Sequence, residues 1–379
     1  IARRQNVVTL TKDGGQVPGK ISDLAVFSGL ERTDVETAEA GEIVALSGLE
    51  EVNIGDTIAD PTNPVALPRV TIDEPTVQMT FSVNNSPFAG RDGKYLTSRH
   101  LRERLFKELE TNVSLRVQET DSADRFLVAG RGELHLGVLI EQMRREGYEL
   151  QISQPEVILH REGDTVTEPF EELTIQVPSE YQGPVIEEIG KRRGELRHMK
   201  LVHSEGTASE MHIEYHIPTR GIIGLKNILL AKTRGTIILH HVFSGYAPAD
   251  EKALLVAPHG SLVAFEAGTS TAYALFMTQE RGELFIGASV EVYQGMVVGQ
   301  NSRDEDLDVN VCKQKQLSNM RAAGTDEALV LTPPREMSLE FAMEYIGQDE
   351  LVEVTPKYLR LRKRLLNPDD RRKAKKSSK

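Results

Sequence analysis

Tryptophan is absent, cysteine occurs once, and aromatic residues make up only 5% of the 379 positions. The lone Cys312 excludes an internal disulfide and any thiolate-cluster zinc site, and it fits a reducing compartment, so a cytoplasmic location is expected. No apolar run approaches the ~20 residues needed to span a bilayer, and no secretory signal pattern opens the chain, so no membrane partner is expected. The Gly-x-x-x-x-Gly-Lys-Ser/Thr loop that cradles phosphates is missing, as is the Gly-x-Ser-x-Gly elbow. The chain as given should therefore not hydrolyse a nucleotide by itself; no catalytic residue, bound cofactor or metal is expected within it. Ile1 lies in apparent strand sequence, which suggests that the front of a longer protein is missing.

Hydrophobic residues at 39% and charged residues at 27% belong to a water-soluble globular chain long enough for two to four domains. The net charge of −12 is unevenly spread: residues 357 to 379 hold eleven Lys and Arg against Asp369 and Asp370, a net of +9, leaving −21 for the other 356. An acidic body with a basic end is a layout found in chains that meet nucleic acid with one end, and equally in chains with a solvated, disordered terminus. Residues 367–379 are read as such a basic, disordered tail.

The stretch from Arg125 to Ile152 organises the chain. Arg125-Phe126-Leu127-Val128 has strand composition, and Gly130 and Gly132 allow a turn. Leu136, Leu139, Ile140 and Met143 then recur at helical spacing, with Glu133 in the first turn, Arg144 and Arg145 in the last, and Gly147 as the stop. A second copy runs from Met211 through Arg220-Gly221 and an apolar-periodic segment to Gly235. Upstream strands opened by Glu74-Pro75 and Glu168-Pro169 complete a repeat of about 80 to 95 residues.

Each copy reads βαββαβ, the ferredoxin-like split arrangement of two helices on one antiparallel sheet. The expected fold is multidomain α+β: half of a β-barrel over 1–70, ferredoxin-like domains over 71–155 and 156–246, a distinct α+β domain over 247–366, and the tail. In the fourth part, strands are expected at 261–266, 272–277, 283–286, 309–312 and 328–331, with a helix from Ser338 to about Ile346.

Little of the usual catalytic chemistry is present. Gly130-Arg131-Gly132-Glu133-Leu134-His135 is a partial dinucleotide fingerprint whose third glycine is replaced by His135, so a turn is the better reading. His212 and His216 alternate along a strand, which argues against a zinc helix. Basic clusters remain. Lys191, Arg192, Arg193 and Arg197 surround a helix end, where capping and phosphate contact are equally open. Arg360, Arg362, Lys363 and Arg364 open the basic end of the chain and are candidate RNA contacts. The loop 313–326 gathers Lys313, Lys315, Gln316, Ser318, Asn319, Arg321 and Thr325, groups suited to phosphates, 2′-hydroxyls and base edges, though a plain surface loop has the same composition.

The order of half-barrel and two ferredoxin-like domains resembles the ribosome-binding translational GTPases similar to elongation factor G. Gly130 to Leu136 resembles the glycine turn and helix of that family's domain III, and Ile217-Pro218-Thr219-Arg220-Gly221-Ile222-Ile223-Gly224 the matching element of its domain V. Gln279 to Gly287, Val290 to Gly295 and Asn319 to Ala328 resemble an extra C-terminal domain carried by one branch of the family. The resemblance covers about Val7 to Arg364. It implies a GTPase that binds the ribosome near the factor site, acts in large-subunit assembly and stress-dependent translation, and reaches toward the acceptor end of A-site tRNA, with the 313–326 loop touching rRNA. GTP and Mg²⁺ would belong to a GTP-binding domain absent from this chain, which is expected to be a monomer. Rival expectations are a protein scaffold without RNA contact and a nucleotide-binding enzyme.

Overall fold

Short runs of β-branched and apolar residues set the N-terminal strands, and glycine at positive φ turns them: Gly14, at φ +79°, lies between Asn6–Leu10 and Gln16–Lys20. Those two strands pair antiparallel, and Thr57–Ala59 adds to the other edge of the first. Leu24–Ser28 pairs with Glu31–Asp34 and Val44–Leu46 in a second three-stranded sheet. Val7, Ile21, Leu24 and Ala38 are buried in one cluster. Among the described residues these sheets do not close into a barrel. The computed structural model describes all residues except 12, 30, 51, 69–73, 164, 203–208, 250–259, 315–329 and 378–379. They fall into two compact units, 1–73 with 107–114, and 74–106 with 115–379.

The second unit begins with β1 (Val77–Val83), α1 (Ser98–Glu108), β2 (Arg116–Glu119), β3 (Arg125–Gly130), α2 (Glu133–Glu146) and β4 (Leu150–Ile152). Their strands lie in the order β4-β1-β3-β2, all antiparallel, so each βαβ is split by one intervening strand. Helix α2 turns Leu136, Leu139, Ile140 and Met143 into the core and ends on Gly147 at φ +99°. Each such side chain stabilises the fold by about 1.5–3 kcal/mol. The backbone N–H of Arg131 donates to His135 Nδ1 at 3.3 Å, and a Cβ on Gly130 would lie 2.9 Å from that nitrogen. The Gly130 turn thus serves tight packing, and the antiparallel surroundings remove the parallel crevice that a dinucleotide needs.

The same order recurs in β5 (Thr165–Pro178), α3 (Gln182–Lys191), β6 (Glu195–Val202), β7 (Glu210–Pro218), α4 (Leu225–Lys232) and β8 (Ile238–Pro248). The sheet again reads fourth, first, third, second: β8-β5-β7-β6. Leu173, Ile175, Ile213 and Tyr215 pack with Val185, Ile189, Leu225 and Leu229 from the helices. The opposite face carries His198, Lys200, His212, Glu214 and His240; His216 is held there by Phe170, stacked at 4.8 Å, and by Glu172 at 3.0 Å.

The C-terminal region holds β9 (Ser261–Ala264), α5 (Ala272–Thr278), β10 (Gly282–Leu284), β11 (Met296–Asn301), β12 (Leu307–Val309), α6 (Leu339–Tyr345), β13 (Glu350–Val354), β14 (Leu359–Lys363) and α7 (Pro368–Ser377). It was expected as a separate domain, but β13 pairs with β4, Leu150 opposite Val354, so one sheet runs β12-β9-β11-β14-β13-β4 and on through β1, β3 and β2. A free β4 edge would expose a row of unpaired amides and carbonyls, and β13 satisfies them. Two local expectations change as well. Residues 272–278 are helix, capped by Thr271 accepting from the Ala274 N–H at 3.1 Å, where a strand was expected. The tail is helical over 368–377, because Asn367 accepts the Asp369 N–H at 2.8 Å and Pro368 is suited to a first helical turn.

Helices α2 and α6 pack together, Met343 facing Gly137, and Asn227 of α4 donates to Glu344 of α6 at 2.7 Å. Glu133 lies at this meeting point of the two repeats and the C-terminal region. Burial pushes its carboxyl up to about 7, and Glu344 adds like-charge repulsion.

Candidate nucleic-acid interface

Strand β14 is paired on both sides, by β13 and β11, and the side chains of its cations are largely buried against neighbouring elements. Arg360 reaches Glu353 at 2.9 Å and Asp92 at 3.5 Å. Arg362 donates to Asn85 and to Gln151 of the first repeat. Lys363 meets Asp306 at 2.9 Å, Glu350 at 3.0 Å and Asp349 at 3.1 Å. Fully buried Glu353 also accepts from Tyr293 at 2.9 Å and Asn84 at 3.3 Å. These groups join the C-terminal region to the first repeat. Arg362 and Lys363, expected to touch RNA, are buried here, Arg362 against amide oxygens and Lys363 against carboxylates; of the four, Arg364 is exposed.

At the end of α3 the basic cluster divides. Arg192 is buried, 3.3 Å from Glu188, and donates to the carbonyls of Gly221 at 2.9 Å and Ile223 at 2.8 Å. It satisfies the backbone of a short helical turn, a capping role. Arg193 occupies the turn into β6 at φ +61°. Lys191 and Arg197 face outward beside Glu187 at 2.6 Å and Glu195 at 3.4 Å.

Of the polar loop, Lys313 is described, whereas Lys315, Gln316, Ser318, Asn319, Arg321 and Thr325 lie outside the described residues. Both flanks of that loop are fastened to α5. The Thr271 hydroxyl donates to the Lys313 carbonyl at 2.6 Å, and its N–H donates to the Val311 carbonyl at 2.9 Å. At the other end, Gln279 donates to the Val330 carbonyl and accepts from the Thr332 N–H, both at 3.1 Å. Seven helical residues separate these clamps, a span of about 10 Å. Sequence reading missed Thr271 and Gln279 as anchors; a threonine ahead of an apolar run was the available cue.

The elongation factor G C-terminal domain matches residues 165–255, the second repeat, and the TypA/BipA C-terminal domain matches residues 259–368, which include the loop. Similar curated proteins carry the name large ribosomal subunit assembly factor BipA. The Synechocystis protein is 48% identical over 95% of this chain and 59% of its own length; that of Salmonella typhimurium is 47% identical over 99% and 61%. The Haemophilus influenzae protein is 48% identical over 99% of this chain and 60% of its own length. This chain belongs to the TypA/BipA family. It spans about three-fifths of the length of these relatives.

The TypA/BipA match ends at Pro368, where α7 begins. Arg371 holds that helix down: it donates to the Leu366 carbonyl at 2.7 Å and pairs with Asp308. Lys375 adds a 3.3 Å contact to Asp306, whose acidity burial weakens but the Lys363 ammonium more than restores, leaving its pKa below the usual carboxylate value. Among the described residues no helix is long and apolar enough to cross a membrane, and no group of three or more His, Cys, Asp or Glu could hold a metal ion.

Proposed function

We propose that this chain is the ribosome-docking part of a longer translational GTPase that acts in assembly of the large ribosomal subunit. In this reading the 313–326 loop contacts rRNA and the acceptor end of A-site tRNA. The observation that carries it is the double fastening of the loop's flanks to Thr271 and Gln279 inside the stretch that matches the TypA/BipA domain. A polar, cationic segment held at both feet loses less entropy on meeting RNA than a free one. GTP and Mg²⁺ are assigned to the GTP-binding part of the longer protein, with a role under stress, a cytoplasmic location and a monomeric state. Binding rests on local basic groups, because repulsion from the acidic body is screened over about 8–10 Å at physiological salt.

The test is co-sedimentation of the chain with purified large subunits across a salt series. Binding should weaken with salt, and combining Lys313→Ala, Lys315→Ala and Arg321→Ala should reduce it about tenfold or more; unchanged binding removes the loop from the interface. The outer edge of β8, unpaired among the described residues, favours a second reading, a protein scaffold. Complexes of that kind would survive nuclease digestion of the RNA.

A further inference from the structure

The cations of α7 sort onto two faces. Arg371 and Lys375, four residues apart, point at Asp308 and Asp306 and fasten the helix to the start of β12 and the turn before it. Arg372, Lys373 and Lys376 fall at i, i+1 and i+4, on the side turned away from those carboxylates. The side chains of Arg372 and Lys373 are 68% and 81% exposed, and their contacts to Asp369 and Asp370, at 3.4 and 3.7 Å, are surface pairs of the weakest kind. Lys376 has no ion pair among the described residues. The two aspartates suit the positive first turn and Lys375 and Lys376 the negative last turn, so the helix is stable without an external partner.

We propose that the outer face of α7 is a contact for the phosphate backbone of double-stranded RNA, a second RNA-binding element besides the loop. It rests on the ribosome reading above and extends it to residues which that reading does not use. Charge complementarity names the occupant: three neighbouring cations on a rigid, pre-ordered helix match a row of phosphates, and they stand on a chain that is otherwise strongly acidic. Strand β14, whose basic sequence pointed to RNA, spends its charge internally; α7 spends two cations on docking and leaves three for a partner. The face offers no aromatic ring and no amide, so it should read phosphate position and not base sequence.

The decisive measurement is the salt dependence of binding by the whole chain to large ribosomal subunits and to a generic RNA duplex of about twenty base pairs. Combining Arg372→Ala, Lys373→Ala and Lys376→Ala should lower the magnitude of the log–log salt slope by about 2 to 3 on both targets, with melting temperature and circular dichroism unchanged. Arg371→Ala, which keeps the outward cations but removes the clamp, should weaken binding severalfold at nearly the parental slope. An unaltered slope in the triple variant, with parental binding intact, overturns the α7 contact and leaves the ribosome reading standing. Failure of the parental chain to bind subunits at all defeats that reading first. Loss by the triple variant of binding to anionic vesicles, with RNA binding unaltered, overturns the proposal in favour of a lipid surface.

Discussion

Strands β4 and β8 hold the same place, fourth in sequence and outermost among the four strands of their own repeat, in two repeats of one topology. All three residues of β4 are buried, and it is paired on both sides, by β1 and by β13. Among the described residues β8 is paired on one side only, and it is largely exposed or half-buried. The polar residues around β4, among them Asn84 and Gln151, are consumed by the seam with the C-terminal region. Those on the open sheet face beside β8, such as Glu214 and His240, keep theirs for solvent or a partner. Identical topology therefore gives one repeat a structural task and leaves the other a surface.

Removing one carboxylate from each repeat's surroundings tests that contrast most severely. Glu353→Ala strands Arg360, Tyr293 and Asn84 in the seam, and denaturant unfolding should show a loss of about 3–5 kcal/mol. Glu214→Ala, on the open face, should change stability by no more than about 0.5 kcal/mol. Equal losses would mean that the seam is not specially built. Hydrogen exchange asks the same of the backbone: amides of Gln151 and Ile152 should exchange about 100-fold more slowly than those of His240 and Val242, a gap of about 2.7 kcal/mol in opening free energy.

The meeting point of the two repeats with the C-terminal region should respond to pH. Glu133 keeps its proton to about pH 7 when folded, against 4.5 as its ordinary value. The folded chain therefore holds a proton that the unfolded chain has released between those values. Stability from this group is greatest below about 4.5, falls as pH rises toward 7 and is level above it. His241, raised by its bond to Glu171, acts in the same direction. Glu133→Gln should shrink the difference in melting temperature between pH 5.5 and 8; an undiminished difference would place the proton elsewhere.

Much of this contrast was invisible in the sequence, for a physical reason. The βαββαβ order could be read because the period changes from two to 3.6 within each repeat, a local property. The pairing of Leu150 with Val354 joins residues some two hundred positions apart, and nothing local in β4 announces its partner. Arg360, Arg362 and Lys363 looked like a basic strand because the carboxylates that meet Arg360 and Lys363, from Asp92, Asp306, Asp349, Glu350 and Glu353, and the amide oxygens that meet Arg362, from Asn85 and Gln151, lie on other elements. Helix α7 was locally legible: Asn367-Pro368-Asp369-Asp370 is a helix start, obscured by a lysine-rich composition that resembles disorder. The candidate loop could be read as polar and cationic, but its anchors Thr271 and Gln279 lie about forty to fifty residues upstream.

The smallest effect is also the finest test, because it separates two neighbours that sequence cannot. Lys191 and Arg192 are adjacent cations at the end of α3, each with a glutamate four residues earlier. Lys191 pairs with Glu187 in water, where an i, i+4 contact contributes about 0.3–0.5 kcal/mol; Lys191→Ala should shift the unfolding midpoint barely beyond error. Arg192 is enclosed and satisfies two carbonyls as well as Glu188, so Arg192→Ala leaves three acceptors short of a donor. That substitution should cost several-fold more, about 2–4 kcal/mol, even though the second repeat lacks the first repeat's seam. If the two substitutions prove equivalent, burial at the α3 terminus does not decide which cations are structural, and the division between inward and outward charge fails where it is easiest to measure.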